Sequence, residues 1–250
     1  MSKIVSLFNY PLKSGHKSTL QKATGDAFGF TGDRQFVILN KKDLSLYSLR
    51  DNPILCDVEV SYFSEKLSIR INLKKHVITC IFETKIQAKI WSKIVNLKVA
   101  SSAVNQFFSE LLNTEVYLAK LEPSQGQTLM DSGPIHLVSL SDMDRLRELC
   151  DLPNLDPMIF RPNIVIDNLS FMENEPPKKL AIGGYNFTVL ERTERCNAVS
   201  ILHRKQHNIK SSYLIPTLNE LSEINTPYFG IYLQPEENFS IKTGDYVKIY

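Results

Sequence analysis

Short apolar runs separated by turn residues dominate the chain. The runs are rich in Val, Ile, Phe, Tyr and Leu, and they are typical of the strands of an antiparallel barrel or sandwich. Two glycine turns, at Gly183-Gly184 after Lys179–Ile182 and at residues 243–245, are predicted to connect such strands. The pattern predicts strands at residues 35–39, 54–60, 67–73, 76–82, 85–91, 115–119, 163–166, 186–191, 229–233 and 246–250.

Three segments interrupt this pattern with helical spacing. Between Ser102 and Leu112, apolar side chains recur every third or fourth position behind a serine cap. A second helix is predicted after Ser141, and a third to begin at Thr217 and Glu220 and to continue through Ile224. Because amphipathic helices commonly pack on sheets, we expect these apolar faces to lie in the core.

The length of 250 residues accommodates one large all-β domain or two packed domains. Residues 121–127 interrupt the strand pattern, so we predict a boundary there. The predicted fold is mainly β with a few helices. We assign residues 1–120 to a β-rich N-terminal domain, for which discontinuous packing is allowed, and residues 121–250 to a second domain.

Charge and cysteine content exclude several classes of protein. The 29 Lys and Arg residues against 27 Asp and Glu give a net charge of +2, which argues against general binding of nucleic acids or acidic membranes. The four cysteines form no C-x-x-C pair, which excludes a zinc ribbon, an iron–sulfur cluster and a disulfide scaffold. With no membrane-spanning run and no secretory signal, we expect a cytoplasmic protein with reduced thiols.

Two N-terminal motifs could bind an anion. Lys13 and Ser14, in Tyr10-Pro-Leu-Lys-Ser-Gly, could present an ammonium group, a hydroxyl and backbone N–H groups. Arg34 ends the glycine-bracketed turn at residues 29–34. The alternatives are a surface turn for the first motif and a tight turn with a surface ion pair for the second.

Two later motifs place arginines beside candidate strands. Arg161 and Asn163 lie at the mouth of a strongly apolar strand, where a guanidinium suits phosphate or carboxylate; alternatively, Arg161 bonds carbonyl groups of a neighbouring loop. Cys196 directly follows Arg195, and nearby positive charge favours the thiolate, the form that attacks or ligates a metal. The other three cysteines, Cys56, Cys80 and Cys150, lie in apolar patterns typical of inert core residues.

His203 and His207 are spaced to share one helical face, as histidines do in some zinc sites. However, residues 204–206 are basic, no Glu follows the first His, and no third ligand is close in sequence. We therefore predict a charged, flexible loop here.

Taken in order, these motifs resemble the MOSC family, named after the C-terminal domain of molybdenum cofactor sulfurase, preceded by its N-terminal β-barrel domain. The resemblance covers nearly the whole chain and implies a MOSC β-barrel after a β-barrel-like N-terminal domain. The matching segments are residues 10–14, 29–34, Arg50 with the following Asn52-Pro53, and residues 131–139, 160–166, 194–196, 229–232 and 243–247.

The resemblance implies a molybdenum cofactor (molybdopterin) with the Cys196 thiolate as a metal ligand. Soft thiolates suit such a site, and Arg195 would help to keep the thiol ionised. The residues implied to hold the phosphate and pterin of the cofactor are Lys13, Ser14, Arg34, Arg50, Ser132, Gly133, Arg161, Asn163 and Arg195.

Within the family, the arrangement is most similar to the mitochondrial amidoxime-reducing component and to bacterial reductases of N-hydroxylated bases. This implies oxygen-atom abstraction from small N-hydroxylated or N-oxide substrates. Because the chain has no cluster-binding set of cysteines, a separate protein is expected to supply electrons. Glu194 departs from the small residue usual in this branch and is expected to affect substrate access or the electronics of the metal.

Two alternatives stay open. One is a module that carries the molybdenum cofactor or sulfur without turnover of its own. The other is an inactive barrel used for protein contacts, since a fold alone does not imply a function.

Overall fold

The computed structural model describes residues 1–122, 128–172, 175–222 and 224–250. Strands contain 43% of the residues and helices contain 20%, which confirms the predicted mainly β fold. Two short 3-10 helices, Pro53–Asp57 and Pro157–Phe160, add to these elements. The α-helices are α1 Ser102–Leu112, α2 Leu140–Cys150, α3 Ala198–His207 and α4 Leu214–Glu220. The strands are β1 Ser2–Asn9, β2 Ser18–Leu20, β3 Lys22–Asp26, β4 Gly29–Phe30, β5 Phe36–Asn40, β6 Leu46–Tyr47, β7 Glu59–Phe63, β8 Lys66–Ile71, β9 Lys74–Thr79, β10 Phe82–Ile90, β11 Lys93–Ala100, β12 Val116–Leu121, β13 Ile135–Ser139, β14 Ile164–Ile166, β15 Lys179–Ile182, β16 Tyr185–Glu194, β17 Tyr228–Pro235, β18 Phe239–Lys242 and β19 Tyr246–Ile249.

The chain forms two compact units that interleave in sequence. The barrel unit contains residues 1–9, 19–31 and 132–250, and the inserted unit contains residues 10–18 and 32–131. Residues 123–127, on which the predicted boundary falls, lie outside the described residues. The assignment of residues 1–120 and 121–250 to two domains stays a prediction, and the grouping of residues 1–9 and 19–31 with the barrel unit is a discontinuous arrangement.

Seven strands close the barrel. Their order is β14-β13-β17-β16-β15-β19-β1, and β1 pairs again with β14 to complete the cylinder. All of these pairs are antiparallel except β13 with β14, which run parallel. Ile4 and Leu7 of β1, with a register shift between them, lie in a core that also contains Phe187. Closure leaves these strands without an open edge.

Asn163 joins three parts of the barrel wall. Its backbone N–H donates to the His136 carbonyl and its own carbonyl accepts from the Phe8 N–H, each at 2.8 Å. Its side chain repeats both links, since Nδ2 donates to the Phe8 carbonyl and Oδ1 accepts from the His136 N–H, each at 3.2 Å. Asn163 has no exposed surface. It therefore ties β1 and β13 together where β14 begins.

The inserted unit is built on a five-stranded sheet, β10-β11-β12-β5-β6, and a three-stranded sheet, β7-β8-β9. Helix α1 packs on β12 and β9 through Val104, Phe108 and Leu112, which are buried. The bounds of α1 confirm the predicted helix at residues 102–112. Its apolar face and Phe36 lie in one hydrophobic core.

In the barrel unit, α2, α3, α4 and the 3-10 helix at Pro157–Phe160 share a second core. Its centre includes Met143 of α2, Val199 of α3, Leu218 of α4, and Phe160. Helix α2 begins one residue before the predicted Ser141, because the Ser139 side chain caps it by accepting from the Ser141 N–H. None of the helices in the described ranges combines the length and apolar character needed to cross a bilayer.

Three local predictions were wrong. Residues 54–60 form a 3-10 helix followed by β7, because Pro53 favours the first helical turn and the Asn52 side chain caps it. The third helix begins at Leu214 and ends at Glu220, short of Ile224. Residues 203–207 are part of α3, not a loop, because tertiary burial of the His203 face stabilises the helix despite its basic residues.

Other local predictions are confirmed. Gly183 and Gly184 make the turn between β15 and β16, both with positive φ, and Gly244 lies in the turn before β19. Among the strands that the pattern did not indicate are the eight-residue β11 and the fully buried β13. Pairing with distant strands, rather than local alternation, places β13 in the sheet.

Replacing Asn163 with alanine should destabilise the barrel unit by about 2–3 kcal/mol, because it leaves the buried Phe8 carbonyl and His136 N–H without these side-chain bonds. Urea unfolding followed by circular dichroism measures the change. Asn186→Ala is the control, since Asn186 is exposed on β16, and it should shift stability by no more than about 0.5 kcal/mol. Equal effects of the two substitutions would contradict the role given to Asn163.

Candidate functional site

In the barrel unit, Arg195 lies where several motif segments meet. Strand β16 ends at Glu194, and the Arg195 backbone N–H donates to the Pro227 carbonyl at 2.7 Å. Its guanidinium donates to the Phe160 carbonyl at 2.8 Å and lies 5.5 Å above the Phe160 ring. Nη1 is 3.5 Å from Nε2 of His136. These contacts fix the arginine beside Cys196.

An aromatic layer supports this arginine. The rings of Phe160 and Phe229 stack with centroids 4.0 Å apart. His136 is almost fully buried, and its Nε2 lies 3.3 Å from the Phe229 carbonyl. Gly230, at φ +78°, allows this approach, because a Cβ there would lie 2.6 Å from His136 Nε2. The sequence analysis gave no role to His136 or Phe229, although both lie in motifs that it identified.

Cys196 is the exposed cysteine of the chain, whereas Cys80 and Cys150 are buried and Cys56 is half-buried. Burial raises the pKa of the Cys80 and Cys150 thiols, consistent with inert core residues. The Cys196 carbonyl accepts from the Val199 N–H at 3.1 Å, so the thiol-bearing residue lies at the start of α3. None of the four cysteines, all within the described ranges, forms a disulfide.

Other predicted site residues of the barrel unit differ in their surroundings. Arg161 is half-buried at φ +55° and ends the 3-10 helix by donating its N–H to the Met158 carbonyl. Ser132 is exposed. Gly133 is buried, and a Cβ there would lie 2.5 Å from Cβ of Tyr232, so close packing alone explains the glycine. The contacts of Asn163 likewise have a structural explanation, and its role toward a cofactor stays a prediction.

The surroundings of Thr193 bear on whether a cofactor fits near Cys196. It is fully buried three positions before Cys196, and its Oγ1 has no hydrogen-bond partner among the described residues. Such orphaned hydroxyls are uncommon in folded proteins. This hydroxyl lies on the strand that leads to Cys196. The exposed thiol of Cys196 and the guanidinium of Arg195, on consecutive residues, are groups of the kind that suit an anionic cofactor with a thiolate-bound metal.

In the inserted unit, Lys13 forms the centre of a separate polar cluster. The side chain is 10% exposed, and Nζ donates to Asp131 Oδ1 at 2.6 Å and to the Leu129 carbonyl at 2.8 Å. Desolvation opposes ionisation of Asp131, but the Lys13 ammonium outweighs it and holds the Asp131 pKa below its usual range. Ser14 follows at φ +69° and is also buried.

Arg34 is part of a buried ion pair, in place of the surface pair considered from the sequence. Its Nη1 pairs with Asp33 Oδ2, and both side chains are less than a tenth exposed. Asp33 also accepts from the Tyr10 N–H at 2.8 Å, and the guanidinium lies 4.3 Å above the Tyr10 ring. The charge of Arg34 contributes to the lowered pKa of Asp131, which links it to the Lys13 cluster.

Arg50 joins the same cluster through Trp91. The exposed Arg50 guanidinium lies 4.7 Å above the Trp91 ring, and the indole N–H of Trp91 donates to Asp131. Lys93 donates to the carbonyls of Met130 and Asp131 at 3.0 and 2.9 Å. Four cationic side chains therefore accompany two carboxylates. No signal in the sequence identified Trp91 or Lys93, because they approach Asp131 only through tertiary pairing.

The structure thus arranges the predicted residues in two groups, each within one compact unit. The inserted unit contains Lys13, Ser14, Arg34 and Arg50, and the barrel unit contains Ser132, Gly133, Arg161, Asn163, Arg195 and Cys196.

The curated relatives that match this chain are named either molybdenum cofactor sulfurase or mitochondrial amidoxime reducing component 2. It is 23% identical to a molybdenum cofactor sulfurase of Caenorhabditis briggsae over 99% of this chain, but it spans only 36% of that protein. It is 24% identical to a mitochondrial amidoxime reducing component 2 of Macaca fascicularis, over 97% of this chain and 82% of the relative. Among solved structures, the YuaD protein of Bacillus subtilis matches 99% of this chain and 94% of its own, with 12% identity and a TM-score of 0.49.

Two family models match the chain in succession. Residues 1–115 match the MOSC N-terminal beta barrel domain, and residues 125–248 match the MOSC domain. Together the two matches account for nearly the whole chain, and the protein belongs to the MOSC family, with the N-terminal barrel domain preceding the MOSC domain.

Proposed function

We propose that this protein binds the molybdenum cofactor and reduces small N-hydroxylated or N-oxide compounds. Its family is associated with the molybdenum cofactor and includes relatives named as amidoxime reducing components. The observation that carries the proposal is the exposed Cys196 at the end of β16, next to the anchored guanidinium of Arg195.

In this proposal, Cys196 is the metal ligand. The thiolate is the form of cysteine that binds metals, and a soft ligand suits molybdenum. The partial positive charge at the start of α3 stabilises negative charge at this position. Arg195, held by the Phe160 carbonyl, and Arg161 supply guanidinium groups for the anionic parts of the cofactor. When bound, the cofactor would supply two-electron redox chemistry at the metal.

The overall reaction converts an N–OH group to N–H with two electrons and two protons, and the oxygen leaves as water. We propose that a separate protein supplies the electrons, since the four cysteines of this chain lack the spacing of a cluster-binding set. The proposed compartment is the cytoplasm, where cysteine thiols are kept reduced.

Lys13, Ser14, Arg34 and Arg50, which all lie in the inserted unit, are proposed to bind a negatively charged portion of the molybdenum cofactor. Asp131 and Asp33 hold Lys13 and Arg34 in defined positions. Ordering these side chains in advance reduces the entropy lost when an anion binds.

A second candidate function is a module that carries the cofactor or its sulfur without turnover. Relatives named molybdenum cofactor sulfurase, which match 99% and 98% of this chain, favour it. The chain spans only about a third of each of these relatives. This candidate predicts transfer of the cofactor to an acceptor enzyme and a persulfide on Cys196.

The substitution Cys196→Ser tests the metal ligand. The wild-type protein should contain molybdenum and reduce an amidoxime with a chemical reductant, whereas Cys196→Ser should lose about 90% or more of the metal, since even outer partners of metal ligands change affinity 10–100-fold. Elemental analysis and the reduction assay measure the two effects. Cys56→Ser, which alters a half-buried thiol elsewhere, is the control and should retain both.

Two results would decide against parts of this proposal. Equal molybdenum in wild type and Cys196→Ser would remove Cys196 from the role of ligand. Stoichiometric molybdenum without reduction of any N–O substrate would exclude the reductase and favour the carrier module.

The substitution Lys13→Met tests the anion-binding group. Hydrogen bonds to charged groups contribute about 1.5–3 kcal/mol, so loss of the ammonium should weaken cofactor binding about tenfold or more. Molybdenum per folded chain in dialysed protein measures the effect, with thermal unfolding to check the fold. Lys89→Met removes an exposed lysine of β10 and should have no effect. Unchanged molybdenum in folded Lys13→Met would show that Lys13 does not contact the cofactor.

A further inference from the structure

The two histidines of α3 form a pair that the proposed function does not use. His203 is fully buried, and His207 lies one helical turn later and is half-buried. Their ring centroids are 5.0 Å apart, with planes inclined by 64°. Residues four apart share one face of a helix, so Arg204 and Lys205 project elsewhere around its circumference.

Both histidines have a buried nitrogen without a partner. Nδ1 of His203 lies 2.9 Å from Ser212 Oγ, whereas Nε2 of His203 and Nε2 of His207 have no hydrogen bond among the described residues. Buried polar atoms are rarely left in this state. Because the two rings are in contact, one ligand is a candidate partner for both Nε2 atoms.

The hydrogen bond of Nδ1 favours a metal as that partner. When Nδ1 donates to Ser212, the lone pair of the neutral ring is on Nε2, which is the form that ligates metals. His207 also lies in the last turn of α3, where the partial negative charge of the helix C-terminus favours a cation.

The ring separation agrees with metal coordination. Zinc lies about 2.0–2.1 Å from an imidazole nitrogen, so it would be about 3.2 Å from each ring centre. At a tetrahedral angle the two ring centres would then be about 5.2 Å apart, close to the observed 5.0 Å. The pair therefore needs little movement to bind a metal.

Few other protein ligands are available. Among the described residues, no group of three or more His, Cys, Asp or Glu converges to hold a metal. Helix α4, which packs on α3, carries Asn219, whose buried Oδ1 also has no hydrogen bond in the described part of the chain. Water would complete a site with two protein ligands, as it does at open zinc sites.

We propose that His203 and His207 bind a divalent transition-metal ion through their Nε2 atoms and so stabilise α3. The ion belongs to the class that prefers imidazole, which includes Zn²⁺, Ni²⁺ and Cu²⁺. This site is separate from the proposed Cys196 site and does not depend on the proposed function.

Titration of the 250-residue chain with Zn²⁺ tests the proposal, by calorimetry and by thermal unfolding after treatment with a chelator. We expect saturable binding and a higher melting temperature in the wild type. His207→Gln should weaken this binding by at least about tenfold, because loss of outer partners alone weakens metal affinity 10–100-fold. His207 is the residue to change, since substitution of the fully buried His203 would disturb the core.

His76→Gln is the matched control, because His76 is an exposed histidine on β9. It should bind Zn²⁺ and gain stability as the wild type does. Zinc bound by Cys196 would persist in His207→Gln, so only the difference between the variants reports on the pair. Equal zinc binding and equal thermal stabilisation in wild type and folded His207→Gln would overturn the proposal, and would leave ordered water as the partner of the two nitrogens.

Discussion

Closure of the barrel by β1 is the constraint on which the barrel-unit site depends. The first strand lies between β19 and β14, so the first nine residues complete a wall whose other strands come from residues 135–249. Asn163 secures this closure with backbone and side-chain bonds to Phe8 and His136. Because Phe160 lies only three residues before Asn163, the same bonds hold the segment on which Arg195 is anchored. Strand pairing and site geometry are therefore parts of one hydrogen-bonded arrangement.

Each basic side chain described in detail has defined partners. Lys13 binds Asp131 and a carbonyl group, Arg34 binds Asp33 and the Tyr10 ring, and Arg195 binds the Phe160 carbonyl. Burying a charge is costly unless it is paired and hydrogen-bonded. Replacing a buried ion pair with well-packed apolar residues is often neutral or stabilising. A gain in stability therefore does not explain why such pairs are present. In this protein the pairs hold Lys13 and Arg34 in defined positions.

The sequence predicted features whose cause is local. The bounds of α1 follow from the spacing of Val104, Phe108 and Leu112, and the glycine turns follow from the backbone freedom of Gly183 and Gly244. Prediction from the sequence failed where contacts between residues far apart in the chain determine the local structure. The basic residues 204–206 suggested a loop, but burial of His203 against the rest of the barrel unit stabilises a helix. Trp91 and Lys93 were missed for the same reason, since only the fold brings them to Asp131.

The near-neutral net charge therefore says little about ligand binding in this protein. Around Asp131 the charges of Lys13, Arg34, Arg50 and Lys93 exceed those of Asp131 and Asp33, although the whole chain carries only +2. This local excess of positive charge is partly buried, and charges interact more strongly where water is excluded. Salt at 0.1 M largely screens exposed charges at separations greater than about 10 Å, and it screens buried charges much less. Lys13 and Arg34 thus concentrate buried positive charge at one place in an almost neutral chain.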